Sequence, residues 1–185
     1  YAATKIGADH LVNSYNKSFG LKTLIIRPFN TFGPRQSSRA VIPTIINQAL
    51  FKNKIKIGNI HTKRDFTFVS DTAEAYYKGI ISGNKTNGKI INLGTGCEFS
   101  IKEIIQFISR ILNKKLNILS DKKRVRPPKS EVNRLLSSNL MAKKLLFWKP
   151  KYINKKGFCE GLKITIDHLK KSNIKRSNKL FEYTK

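Results

Sequence analysis

Leu21 to Arg27 reads Leu-Lys-Thr-Leu-Ile-Ile-Arg, a nearly continuous apolar run rich in β-branched residues and bounded by Gly20 and Pro28. A strand buried on one face alternates apolar and polar side chains. An unbroken run is buried on both faces, as happens in a parallel sheet covered by helices on each side. Lys89 to Leu93 (Lys-Ile-Ile-Asn-Leu) reads as a second such strand and ends at Gly94-Thr95-Gly96. Ahead of the first run, residues 1–18 carry Ile6, Leu11, Val12 and Tyr15 near the 3.6-residue period, and Gly20 supplies the stop. Helix, short turn and doubly buried strand make half of a βαβ unit, so the fold class is α/β.

The rest of the chain punctuates itself. Pro28 to Ser38 is a loop broken at Gly33-Pro34, and residues 40–52 read as a helix with Pro43 in its first turn. Lys54–Ile57 and Arg64–Val69 are short strands. Asp71, after Ser70, stands in the N-cap region of a helix through Ile81, whose Ala73, Tyr76, Tyr77 and Ile80 are expected to face a core. Gly83 to Gly88 is a turn. Ser100 with Glu103 three residues on is the capping-box pattern for a helix through Leu112. Residues 120–131 form a basic loop, and 137–147 and 157–171 read as helices, the second amphipathic through Phe158, Leu162, Ile166 and Leu169. Trp148 is expected to anchor the C-terminal lobe, and the polar tail 172–185 to fray.

The 185 residues carry 37 Lys and Arg against 11 acids, a formal net charge of +26. A surplus of that size raises nucleic acid or an anionic membrane as partners. Yet 28 of the 37 are Lys, whereas base readout leans on Arg and stacked aromatics, and neither is clustered. An anionic small molecule suits the same charge. Cys97 and Cys159 are too few for a disulfide scaffold and lack metal-ligand spacing, which makes a reducing cytoplasm the expected compartment. His10, His61 and His168 are scattered, so no metal site is expected. Neither a membrane span nor a signal peptide is readable.

Tyr1 and Lys5 lie four apart on a helix and share one face. A phenol works as an acid or base near neutrality only if a neighbouring cation stabilises its phenolate, which a Lys one turn away can do. The pair alone is weak, but its context is ordered. Arg27-Pro28 closes the following strand, then come Asn30-Thr31-Phe32-Gly33-Pro34, Arg64-Asp65-Phe66-Thr67-Phe68-Val69-Ser70-Asp71, Asn92-Leu93-Gly94, Arg126-Pro127 and Leu146-Phe147-Trp148-Lys149-Pro150. This series, over about residues 1–171, resembles the nucleotide-sugar epimerase and dehydratase branch of the extended short-chain dehydrogenase/reductase family. One departure is Phe147, where the family's Leu-Gly-Trp-x-Pro signature has Gly.

The resemblance implies roles. Tyr1 would take a proton from a sugar hydroxyl, and Lys5 would bind the nicotinamide ribose and lower the Tyr1 pKa. Pro28 would set the backbone path past the nicotinamide of NAD, or of NADP. Arg64 and Arg126 are candidates for the substrate diphosphate, since a guanidinium fork meets phosphate oxygens bidentately. Asn30, Arg39 and Asn92 complete the implied substrate set. Residues 35–50 together with 126–132 look more like the 4,6-dehydratases than the 4-epimerases. The partners implied are a nucleotide-diphosphate sugar and a second copy of the chain, paired through residues 1–18 and 72–82; neither nucleic acid nor a membrane is expected as a partner.

The family's Gly-x-x-Gly-x-x-Gly fingerprint is not in the chain, nor are the upstream Ser/Thr and the Asp-Glu pair of the dehydratases. The expected fold is therefore the C-terminal part of a Rossmann-like parallel sheet, its N-terminal nucleotide-binding strands absent, plus a smaller α/β substrate-binding lobe. On that reading residues 1–34 and 64–98 belong to the dinucleotide-binding domain, 35–63 and 99–171 to the substrate lobe, and 172–185 to a basic tail. The chain would be a fragment of a protein exceeding 300 residues by family analogy, inactive by itself. A non-catalytic basic binding module is the rival reading.

Overall fold

A computed structural model describes residues 1–182 apart from 122, 123, 126, 128 and 129, with side chains through Ser172. The elements run α1 (Ala2–Phe19), β1 (Leu24–Pro28), β2 (Asn30–Phe32), α2 (Val41–Phe51), β3 (Lys54–Ile57), β4 (Lys63–Phe68) and α3 (Val69–Ile81). They continue with β5 (Lys89–Leu93), β6 (Glu98–Ser100), α4 (Ile101–Leu112), β7 (Asn117–Ser120), β8 (Arg134–Leu135), α5 (Leu140–Leu146) and α6 (Asn154–Glu182). The two apolar runs pair with each other, β1 parallel to β5, from Leu24 opposite Lys89 to Pro28 opposite Leu93. Strand β4 collects three partners: β2 in parallel along Phe66–Phe68, β6 antiparallel and β8 parallel along its first residues. Strands β3 and β7 form a separate parallel pair. Parallel neighbours need long crossovers, and helices supply them, so the α/β class holds.

The sequence reading misses β2, β6, β7 and β8. Strands of two to four residues are too short to display a period of two, and their pairing is decided by the neighbour they lie against. Helix α6 begins at Asn154 and runs to Glu182, past the end expected at 171.

The larger core lies between α2, α4, α6 and the β4 sheet. Ile42, Ile45 and Ile46 of α2, Ile104, Ile105 and Ile108 of α4, and Phe158, Leu162 and Ile166 of α6 meet Phe32, Phe66 and Phe68 from the strands. Phe158 is the centre of an aromatic cluster, with ring centroids 4.9 Å from Phe32, 5.9 Å from Phe66 and 4.6 Å from Phe99. Offset and edge contacts at such separations add to the burial of each ring. The capping box is formed: Ser100 Oγ accepts from the Glu103 backbone N–H at 3.2 Å, and the Ser100 backbone N–H donates to Glu103 Oε2 at 2.8 Å.

A second, smaller core joins Ala75, Ile91, Leu93, Ala142, Leu146 and Trp148. Trp148 is fully buried and joins Ala142 and Leu146 of α5 to Ala75 of α3 and Ile91 and Leu93 of β5. Its Nε1–H donates to the Asp71 carbonyl at 2.9 Å. Asp71 does not cap its helix, which starts two residues earlier; its buried carboxylate accepts from the backbone N–H groups of Lys151 and Tyr152, each at 3.0 Å. Burial pushes this carboxyl above the usual range, against the pull of those two hydrogen bonds.

One expected core face points outward. Helix α3 turns Thr72, Ala75 and Gly79 inward, where Gly79 lies against Leu24 and Ile26, and leaves Ala73, Tyr76, Tyr77 and Ile80 exposed. Only small side chains fit that close an approach to β1. Helix α1 buries no residue; Ile6, Leu11 and Tyr15 of its apolar stripe are exposed and Val12 is half-buried. Among the described residues no helix is long and apolar enough to cross a membrane.

Local geometry makes two stabilities testable. Phe147 closes α5 in the left-handed region at φ 49°, with its ring 70% exposed. A Cβ costs about 1–2 kcal/mol there. Phe147→Gly is expected to raise stability by roughly 1 kcal/mol, read by urea denaturation. At the capping box, hydrogen bonds from Ser100 hold the Glu103 carboxyl below its ordinary 4.5. A carboxyl with a lowered folded value stabilises above its unfolded value and loses that stabilisation as pH falls through the folded one. The stability gap between wild type and Glu103→Gln should therefore be full near neutral pH and close in acid.

Candidate functional site

Adjacent residues of a strand point to opposite faces, and β4 uses both. Arg64 and Phe66 face a cleft of about 590 Å³; Asp65, between them, is fully buried on the other side. The cleft is bounded by the start of α2 (Ala40, Val41, Thr44), the end of β3 with Gly58 and Asn59, and Asn30 and Thr31 of β2. Arg39, Arg64 and Arg124 supply positive charge, and Glu131 is the one carboxylate among the described lining residues. No side chain caps α2. The N–H groups of Val41 and Ile42, Pro43 having none, add with the positive end of the helix dipole to the attraction for an anion.

Each group has a determined place. Arg64 Nη1 donates to the Lys63 carbonyl at 2.8 Å, and Nη2 lies 3.4 Å from Glu131 Oε1. Arg124 Nε lies 3.2 Å from Asp121 Oδ2. Gly58 permits the approach of that segment, because a Cβ there would collide with the Arg124 carbonyl. Asn30 Nδ2 donates to the Asp65 carbonyl at 3.3 Å. Gln36 Nε2 donates to the Thr31 carbonyl at 2.7 Å, while its Oε1 is buried without a partner among the described residues.

Beneath the cleft, Asp65 ties three segments together. Its Oδ1 accepts from the backbone N–H and the hydroxyl of Thr95 at 2.9 and 2.7 Å. Its Oδ2 accepts from the N–H of Gly96 at 2.9 Å and of Ser137 at 3.3 Å. Gly94 leaves room for this arrangement, since a Cβ would strike Ser137 and the Asp65 carboxylate. Asn139 closes it by donating to the Gly94 carbonyl at 3.0 Å. The glycine-rich turn after β5 thus serves as the seat of a buried carboxylate.

The expected site residues divide. Asn30, Arg39 and Arg64 come together in the cleft. Asn92 lies on β5 opposite Arg27 and Pro28 ends β1, and neither lines the cleft. Arg126 lies outside the described residues. Tyr1 is 93% exposed at the start of α1, with Lys5 Nζ 5.5 Å from the centre of its ring. The pair shares a face as its spacing predicts, apart from the cleft. Arg124, Gln36 and Glu131 escape the sequence reading as site residues; they reach the cleft from loops whose course depends on β3, β4 and β8.

Parallel strands joined by helical crossovers, with an arginine-lined cleft beside them, define a partial Rossmann-type fold of the short-chain dehydrogenase/reductase class. Residues 1–161 match the family model described as GDP-mannose 4,6 dehydratase, and the chain belongs to that family of nucleotide-sugar dehydratases and epimerases. It is 34% identical over 175 residues to a UDP-glucuronate 4-epimerase from Thermodesulfobacterium geofontis, covering 93% of this chain and 50% of that one. Among solved structures it is similar to RMD from Pseudomonas aeruginosa complexed with NADPH, at TM-score 0.80 and 28% identity, covering 91% of this chain and 55% of that one. It is also similar to UDP-glucuronic acid 4-epimerase from Bacillus cereus in complex with UDP-glucuronic acid and NAD, at TM-score 0.82 and 26% identity, covering 92% and 52%. The chain spans about half the length of the curated relatives it matches.

Because Asp65 satisfies four buried donors, Asp65→Asn places an amide N–H against N–H groups. The expected loss is roughly 3 kcal/mol, measured by urea denaturation against wild type.

Proposed function

We infer that the cleft holds the diphosphate of a nucleotide sugar, and that the chain contributes the substrate-binding part and the Tyr-Lys helix of an NAD(P)-dependent nucleotide-sugar 4,6-dehydratase. The observation that carries this reading is the convergence of Arg39, Arg64 and Arg124 on one cleft beside an uncapped helix start. Guanidinium groups and free helix N–H donors suit phosphate oxygens. The family match supports a nucleotide sugar as the ligand.

Tyr1 and Lys5 fit a nicotinamide cofactor at their end of the fold: both side chains are open to solvent, one turn apart, and offer a hydroxyl and an ammonium to a ribose. When bound, that cofactor supplies hydride transfer; Pro28 would border it. Tyr1 would take the proton from the hydroxyl at C4 of the sugar, and the Lys5 ammonium would hold the nicotinamide ribose. The net reaction converts the sugar to its 4-keto-6-deoxy form and one water: C4 is oxidised, water leaves across C5 and C6, and the hydride taken from C4 returns at C6. A 4-epimerase shares the first proton transfer, and the 34% identity to a 4-epimerase supports it as the second reading. The exposed apolar faces of α1 and α3 support a homodimer paired through these helices.

The test is calorimetric titration of UDP-, GDP- and dTDP-sugars, with the matching nucleosides as controls. Arg64→Gln is expected to weaken the sugar nucleotide about tenfold to a hundredfold and leave nucleoside binding unchanged. Equal loss for both ligands, or no loss, would overturn the diphosphate assignment.

A further inference from the structure

Arg64 and Glu131 face each other inside the cleft from segments 67 positions apart. Among the ion pairs of the described residues theirs is the most enclosed, the side chains being 16% and 14% exposed, and also the longest, at 3.4 Å. A tight structural pair in so enclosed a place would close to about 2.8 Å, as Arg134 does on Glu98. Arg64 uses one further donor on the Lys63 carbonyl, and its Nε has no partner among the described residues. Backbone pairing fixes the two ends: β8 runs parallel to β4 with Leu135 opposite Arg64, and the Lys63 N–H donates to the Asn133 carbonyl at 2.9 Å. The two side chains are thus brought together by strand pairing, not by a chance meeting of long surface groups. The cleft presents a guanidinium already engaged by a carboxylate, loosely, in a position that an anionic ligand would also claim.

We propose that Glu131 is a positioning residue that holds Arg64 before a ligand arrives and releases it to the phosphate of that ligand. This rests on the diphosphate reading of the cleft and adds to it a competing internal anion. An enclosed carboxylate repels a second anion brought to the same guanidinium, so a phosphate that takes the Nη2 donor displaces Glu131 from it. The exchange discriminates among anions. A diphosphate can engage Arg64 together with Arg39 and the start of α2, and so replaces the lost pair. A single carboxylate cannot, and is refused.

The experiment is titration of the full chain with inorganic pyrophosphate, UDP and acetate, at two salt concentrations, for wild type, Glu131→Gln, Arg64→Gln and the double variant. Glu131→Gln is expected to tighten pyrophosphate and UDP roughly three- to tenfold and to make acetate binding detectable, with no gain when Arg64→Gln is already present. Glu131→Asp keeps the charge and shortens its reach, so it should give an intermediate gain; it also serves if the Gln variant fails to fold, as judged by circular dichroism. Weaker binding in Glu131→Gln would make Glu131 a direct ligand contact and overturn the proposal. An equal gain in the Arg64→Gln background would make the effect of Glu131 a general field and overturn it too. If neither wild type nor any variant binds a phosphate compound, the diphosphate reading itself falls. Binding by wild type without a gain in Glu131→Gln overturns the exchange and leaves the diphosphate reading standing.

Discussion

Asp65 is the interaction on which the rest of the structure depends. It lies on the strand that pairs with three others, and its carboxylate accepts from Thr95, Gly96 and Ser137, residues separated from it by up to 72 positions. A buried carboxylate is tolerated only when its oxygens are satisfied, so the turn after β5 and the approach to α5 must come to it. That requirement sets the course of the chain on both sides of the cleft. The side-chain alternation of β4 then places Arg64 on the opposite face, toward the cleft. One strand thus couples the internal polar anchor to the arginine-lined wall of the cleft.

Asp71 repeats the device in the first turn of α3. Its carboxylate holds the backbone of Lys151 and Tyr152 while its carbonyl accepts from Trp148. The C-terminal segment is thereby bound to the β1–β5 sheet before α6 returns to the larger core. The two aspartates of the Arg-Asp-Phe-Thr-Phe-Val-Ser-Asp segment act as structural clamps, and its arginine faces the cleft. These three charged residues, close in sequence, have different work because strand and helix geometry aim them differently.

The net charge of +26 does not by itself identify a partner. Lysines spread over the surface create a general field, which steers anions without selecting among them. The arginines at the cleft differ from these lysines in offering planar, fork-shaped donor sets, and Arg64 among them is half-buried. The exposed apolar faces of α1 and α3 are a separate matter. A helix stripe of Ile6, Leu11 and Tyr15, and another of Tyr76, Tyr77 and Ile80, are costly to leave in water, which makes them surfaces to be covered.

The α/β class, the major helices, the two apolar strands and the capping box at Ser100 were legible in sequence because each rests on local periodicity or on residues a few positions apart. Of the candidate site residues, Asn30 and Arg64, which stand in motifs, and Arg39, which stands before a helix, all line the cleft. What failed was direction. The period of α3 marks an apolar face at Tyr76, Tyr77 and Ile80, but the closeness of β1 admits only Ala75 and Gly79, and that distance is a tertiary fact. Strands β2, β6, β7 and β8 are too short to announce themselves and exist through their partners. The sequence by itself determined the main helices, the strands β1, β3, β4 and β5, and which side chains could hold an anion. Tertiary structure alone decided that Asp65 is an anchor and that Glu131 meets Arg64, because both depend on pairings across 30 to 72 positions that no local pattern encodes.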